Sequence, residues 1–161
     1  MAGVFVNADG YKKSIASPGV GNYLTMARAA ALARAIVGEE SLRRRSFVQA
    51  HGTGTPQNRT TESQTLSGVA KACRIEDWPV AAIKCFVGHT MAAAGGDQLA
   101  SSLGVFADGI LPGITTIDAV AADVQQEHLR ISPNPLQRSP EDWDASFLNA
   151  KGFGGNNATA T

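Results

Sequence analysis

Two histidines, a lysine and a glycine-rich tail sit in three loops of this 161-residue chain. The first loop reads His51-Gly52-Thr53-Gly54-Thr55-Pro56. The second runs Lys84-x-x-x-Gly88-His89. The third reads Gly152-Phe153-Gly154-Gly155-Asn156-Asn157. A pair of neutral imidazoles can donate two N–H groups to one developing oxyanion, which is chemistry that stabilises an enolate. Each loop follows an apolar segment that reads as a strand. In an open parallel sheet, ligand sites gather at the carboxyl ends of strands, so the three loops are expected to converge.

Other chemistries fit less well. The run Gly152 to Gly155 leads into a strand rather than a helix, so it fails the context of a dinucleotide-phosphate cradle. Cys73 and Cys85 are too few for a disulfide framework and too irregular for a zinc site, and both read as small buried residues. No metal site is expected. His128 has no motif and reads as a surface or turn residue. Arg43-Arg44-Arg45 reads as a solvated helix end.

The elements that carry these loops follow from periodicity and chain breakers. Residues 3–11 read as a strand and 14–22 as a loop. A helix is expected over 23–37, with Leu24, Ala27, Ala31, Leu32, Ala35 and Ile36 at helical spacing and Gly38 ending it. A strand at 46–50 precedes His51. A second helix is expected over 61–73, with Leu66, Val69, Ala70 and Cys73 on one face and Thr60 or Thr61 as its cap. A strand at 79–83 precedes Lys84. A third helix is expected over 90–106. Its run Ala92-Ala93-Ala94-Gly95-Gly96 suits close approach by another helix, so it is expected to be central and buried on most sides. Residues 109–112 read as a short extended piece and 115–139 as irregular. Strands at 146–150 and 157–161 close the chain. The order strand, helix, strand, helix, strand, helix, strand, strand implies an α/β domain over residues 1–161. Its expected sheet is mostly parallel, mixed and five-stranded, with helices on both faces.

Composition narrows the function classes. Hydrophobic residues make up 43% and charged residues 17%, and 14 basic side chains balance 14 acidic ones. That composition excludes a disordered polar chain and gives no footprint for nucleic acid or a membrane surface. No secretory signal and no membrane-length apolar run is present, so a reducing, cytoplasmic setting is expected.

The motifs together resemble one family. Val48-Gln49-Ala50-His51-Gly52-Thr53-Gly54-Thr55-Pro56 resembles the histidine motif of β-ketoacyl synthases. Ile83-Lys84-Cys85-Phe86-Val87-Gly88-His89, with the alanine and glycine residues after it, resembles their lysine–histidine motif. The segment from Asn149 to Asn157 resembles their C-terminal glycine loop, and the resemblance covers nearly the whole chain. It implies the C-terminal half of a thiolase-like fold. It gives His51 and His89 the oxyanion role, in decarboxylative Claisen condensation of a malonyl carrier thioester with an acyl thioester. Lys84 is to orient the pair, with Glu62 as its carboxylate partner. Thr53 and Thr55 are to bind the pantetheine arm of acyl carrier protein, so no resident cofactor is expected. Phe153 is to be a gate flanked by Gly154, and Asn157 is to support the loop.

The family's cysteine nucleophile belongs to the N-terminal half, and neither cysteine here sits in its motif. The expectation is therefore a half-enzyme, inactive alone, that needs the N-terminal half and self-associates. The alternative is a non-catalytic condensing-enzyme-like partner or scaffold. Retention of His51, Lys84 and His89 together argues against that alternative. Arg59, Lys151 and Asn156 depart from the family pattern, and Lys151 stands where an aromatic residue is usual.

Overall fold

The computed structural model of the chain describes residues 1–10 and 20–161. The last residue of the expected first strand, and all but the end of the loop read over 14–22, lie outside them. The strands are β1 (Val4–Ala8), β2 (Ser46–Gln49), β3 (Trp78–Ala81), β4 (Ile110–Leu111), β5 (Leu129–Ile131), β6 (Leu136–Gln137), β7 (Ala145–Gly152) and β8 (Asn156–Ala160). The α-helices are α1 (Gly21–Val37), α2 (Glu39–Arg44), α3 (Pro56–Ala72), α4 (Lys84–Val87) and α5 (Ala94–Asp108).

The main sheet has the order β1-β8-β7-β2-β3-β5. The pairs β7–β2, β2–β3 and β3–β5 are parallel, and β1–β8 and β8–β7 are antiparallel. It is a mixed α/β sheet of six strands rather than the expected five. The extra strand, β5, is three residues inside the stretch read as irregular. It pairs Leu129 with Trp78 and Ile131 with Val80. So short a segment carries no readable alternation; its strand character comes from pairing with β3. The small β4–β6 pair is separate.

Period-2 alternation places cores on both faces. Val48, Trp78, Val80 and Phe147 face α1 and α3, among Met26, Ala29, Ala30, Leu66 and Val69. Phe47 and Ala81 face the other way, against Val105, Leu111 and Trp143. Phe47 meets Trp143 edge-on, with ring centroids 5.2 Å apart.

Three helix expectations need correction. In α1 the buried face is Asn22, Thr25, Met26, Ala29, Ala30 and Ala33. Leu24 and Ile36, on the face expected inside, are exposed. Alanines all around this helix make its apolar period ambiguous. The polar pairs decide it: Asn22 donates to Asn149 and Thr159 donates to Thr25, between the helix and the sheet. Helix α3 starts at Pro56, earlier than read. Thr60 and Thr61 lie within its first turns and donate back to Pro56 and Gln57 carbonyls instead of capping. Proline at the first helical position costs nothing there, because that N–H has no helical partner. Helix α5 is not buried on most sides. It buries Ala94, Gln98, Ser102 and Val105, while Leu99 and Leu103 are exposed. A Cβ added at Gly95, Gly96 or Gly104 would meet nothing within 4 Å.

Candidate active site

The parallel neighbours β3, β2 and β7 end side by side; β2 and β7 run into the first and third loops, whereas β3 leads into the short helix α4, which carries Lys84 where a loop was expected. His51 follows β2, Lys84 and His89 follow β3, and Phe153 follows β7. They line one open cleft of about 1080 Å³, together with Thr53, Thr55 and Lys151. Gly154, Glu62 and Asn157 do not line it.

His51 and His89 are edge-to-face neighbours, with ring centroids 5.4 Å apart. Each ring is fixed by a backbone donor. The N–H of Lys151 donates to Nδ1 of His51 at 3.3 Å, and the N–H of Met91 donates to Nδ1 of His89 at 3.1 Å. An Nδ1 that accepts a hydrogen bond leaves the proton of the neutral ring on Nε2. Both imidazoles are thereby set as Nε2–H donors. Burial pushes the His51 pKa down to about 4, with Lys84, His89 and Lys151 adding to the shift and Glu62 opposing it. His51 is therefore neutral through the physiological range.

The turn that presents His51 is built around a buried carboxylate. Glu62, on α3, accepts from the N–H of His51 at 2.7 Å and of Gly52 at 2.9 Å. It also accepts from the side-chain amides of Asn58 at 2.9 Å and Asn149 at 2.6 Å. Gly52 has φ +60, and an added Cβ would lie 2.7 Å from that of Ala82, so only glycine fits this turn. The expected ion pair of Glu62 with Lys84 is absent among the described residues. Lys84 instead donates from Nζ to the His51 carbonyl at 2.6 Å. The reason is saturation, since four donors already occupy the two carboxylate oxygens. Burial holds the Lys84 pKa below its ordinary value, against the pull of Glu62 and Asp97.

The remaining expected residues fall in two groups. Thr53 and Thr55 are 3.4 Å apart through their hydroxyls at the exposed cleft wall. Phe153 is 63% exposed at the cleft edge, and Gly154 beside it has φ +77. Asn157 is buried and donates to Asp9 at 2.8 Å and to the Gly155 carbonyl at 2.9 Å, which shapes the glycine loop from behind. No group of three or more metal-ligating side chains occurs among the described residues.

Sequence reasoning missed Asn58, Asn149 and Gln98. Asn149 ties Glu62 to Asn22. The Gln98 amide nitrogen meets the carbonyls of Gln49, Ala50 and Asn149 at 3.2, 2.8 and 2.9 Å, and so clamps α5 to the ends of β2 and β7. The available signal was a polar residue in an otherwise apolar strand or helix face, since buried polar groups must be paired.

Residues 1–118 match the family described as β-ketoacyl synthase, C-terminal domain. The chain belongs to that family. This ketosynthase C-terminal domain is 57% identical over 156 residues to the β-ketoacyl-[acyl-carrier-protein] synthase FabY of Pseudomonas aeruginosa, covering 97% of the chain and 24% of that protein. It is 29% identical over 165 residues to a highly reducing polyketide synthase of Eupenicillium brefeldianum, covering 98% of the chain and 7% of that protein. The domain thus spans a quarter or less of the length of these relatives. Among solved structures it superposes on the ketosynthase FabY from Pseudomonas aeruginosa with a TM-score of 0.91 at 56% identity, covering 97% of this chain and 24% of that one. It also matches the module 1 ketosynthase of the bacillaene synthase from Bacillus amyloliquefaciens, with a TM-score of 0.82 at 20% identity over 99% of this chain and 28% of that one. The latter likeness concerns the thiolase-like fold alone. No helix among the described residues is long and apolar enough to cross a membrane.

Proposed function

We propose that this domain supplies the oxyanion-stabilising half of a 3-oxoacyl-acyl-carrier-protein synthase in fatty-acid or polyketide synthesis. The observation that carries the reading is the matched pair His51 and His89, each with Nδ1 occupied by a backbone N–H and Nε2 left as a donor in one cleft. In this reading the thioester oxygen of a malonyl group accepts from both Nε2–H groups. The bond from the α-carbon to the carboxylate breaks, CO₂ departs, and the electron pair forms an enolate whose negative oxygen sits between the rings. The α-carbon then attacks an acyl thioester on a cysteine, and the cysteine thiolate leaves. Preorganised donors aimed at that oxygen are worth more than donors that must reorient.

Lys84 has a positioning role here. Its ammonium holds the His51 carbonyl, and its charge disfavours protonation of the ring. Thr53 and Thr55 offer hydroxyls to a pantetheine arm at the cleft wall, and the phosphopantetheine arrives on acyl carrier protein. Phe153 gates the acyl chain. The nucleophilic cysteine comes from an N-terminal half that packs against this domain. The assembled enzyme is a homo-oligomer in the cytoplasm.

The test is reconstitution. The domain alone should neither decarboxylate malonyl carrier protein nor condense it with an acyl thioester. Added to a cysteine-bearing ketosynthase half, it should support both. Condensation by the domain alone at ordinary synthase rates would overturn the half-enzyme reading.

A further inference from the structure

Lys151 is the buried cation that the chemistry above leaves unused. It lies at the end of β7, is only 7% exposed, and lines the same cleft as His51 and His89. Its Nζ donates to a neutral hydroxyl, Thr61 Oγ1 at 3.1 Å, and it has no ion pair among the described residues. The carboxylate that belongs to this layer cannot serve it, because Glu62 is saturated by the N–H groups of His51 and Gly52 and the amides of Asn58 and Asn149. The other carboxylate that acts on Lys151, Asp9, is engaged by Gly21 and Asn157, and Asp97, which acts on Lys84, accepts from Thr90.

The cleft wall thus holds two ammonium groups, half-buried Lys84 and buried Lys151, beside the one saturated carboxylate of Glu62. Both lysines are held below their ordinary pKa by burial, with Glu62 opposing the shift. A buried cation without an anion is costly, and an arriving carboxylate removes that cost. A neutral or apolar ligand group in the same place does not.

We infer that Lys151 makes the cleft selective for a ligand that carries a carboxylate, so that it recognises the carboxyl end of the extender thioester before decarboxylation. This rests on the reading of the site as a ketosynthase centre. The charge logic also suits the reaction. As the carbon–carboxylate bond breaks, the negative charge moves from the carboxylate to the thioester oxygen, and it stays within one positively biased cleft throughout. Lys151 is a specificity-determining residue in this scheme, and the proton donors remain His51 and His89.

The experiment uses the complete condensing enzyme that contains this domain. Two probes are compared by calorimetry: a non-hydrolysable malonyl-pantetheine analogue with a free carboxylate, and its neutral methyl ester. The parent should favour the carboxylate by roughly tenfold. Lys151→Met and Lys151→Gln should both lose that preference while binding the ester as the parent does. The KM for malonyl carrier should rise roughly tenfold with little change for the acyl primer. Lys151→Gln keeps a donor for Thr61, so it separates charge from packing, and a thermal melt of each variant confirms folding. No carboxylate preference in the parent, or a preference that survives in both variants, overturns the inference. An enzyme that makes no ketoacyl product even with Lys151 intact would instead defeat the ketosynthase reading itself.

Discussion

The peptide N–H of Lys151 donates to Nδ1 of His51 at 3.3 Å, across 100 residues of sequence. One strand end thereby sets the tautomer of a ring that follows another strand. The contact is available because β7 and β2 are parallel neighbours, with Phe147 opposite Val48 and Leu148 opposite Gln49. No local feature of either segment dictates it.

His51 should remain neutral down to acidic pH. Its folded pKa is about 4, against an ordinary 6.5, because the ring is buried among Lys84, His89 and Lys151. The unfolded chain takes up this proton as pH falls below about 6.5, whereas the folded chain resists until about 4. Stability from this residue is therefore complete above about 6.5 and declines as pH falls through that window. Urea unfolding at a series of pH values should show a steeper loss between 6.5 and 4 for the parent than for His51→Asn. Nitrogen NMR of the ring should show a single protonated nitrogen, Nε2, at pH 6.

Glu62 is the structural keystone of the His51 turn, and its removal should cost far more than an exposed carboxylate would. Glu62→Ala strands two backbone N–H groups and two side-chain amides in the interior. At about 1–3 kcal/mol for each unsatisfied group, the loss should exceed about 3 kcal/mol in chemical denaturation. Glu62→Gln keeps one good acceptor and should lose less. Equal stability of parent and Glu62→Ala would show that the carboxylate network carries no weight.

Met91 should matter through its backbone. It is a non-glycine residue at φ +58, a conformation that costs about 1–2 kcal/mol, and its N–H reaches back to His89 Nδ1. Its side chain is exposed. Met91→Gly allows the same backbone and should preserve decarboxylation in the assembled enzyme. Met91→Val resists that conformation and should lose about tenfold or more in kcat, by releasing the His89 ring. The reverse order of the two variants would assign Met91 a side-chain role.

Helix α5 should drive association. Gly96, Leu99, Ala100, Leu103 and Ala107 recur at helical spacing on its exposed side. A continuous apolar stripe of this kind is rarely left to water. The isolated domain should sediment as a dimer or larger, and should gain stability from a cysteine-bearing half. Leu99→Glu with Leu103→Glu should yield a monomer that no longer responds to that half. A stable parent monomer at tens of micromolar, indifferent to the other half, would contradict this.

The parts of the fold legible in the sequence are those with a local signature. The strands before His51 and Lys84 announce themselves by short apolar runs, the first ending in the glycine-rich turn Gly52-Thr53-Gly54 and the second at the Lys84-x-x-x-Gly88-His89 motif. Helix α5 is legible by its small residues, which with Leu99 and Leu103 mark the apolar face it leaves exposed. What escaped depends on distant partners. β5 is a strand because β3 lies beside it. The inward face of α1 is chosen by Asn22 and Thr25 meeting Asn149 and Thr159, whereas its alanines allow any face. In the site, histidine and lysine types were readable from motifs. The partners of Glu62 were not, because the resemblance implied Lys84, while hydrogen-bond saturation by Asn58, Asn149 and two backbone amides decided the geometry.

The central claim is that His51 and His89 act as paired Nε2–H donors to an enolate oxygen. Its most direct test is the rate of malonyl carrier decarboxylation by the assembled enzyme, measured for His51→Ala and His89→Ala in proteins that still acylate the partner cysteine. Each substitution removes one Nε2–H donor, and each should lower decarboxylation by roughly a hundredfold or more while acylation suffers less. Decarboxylation at the parent rate in either variant would contradict the account.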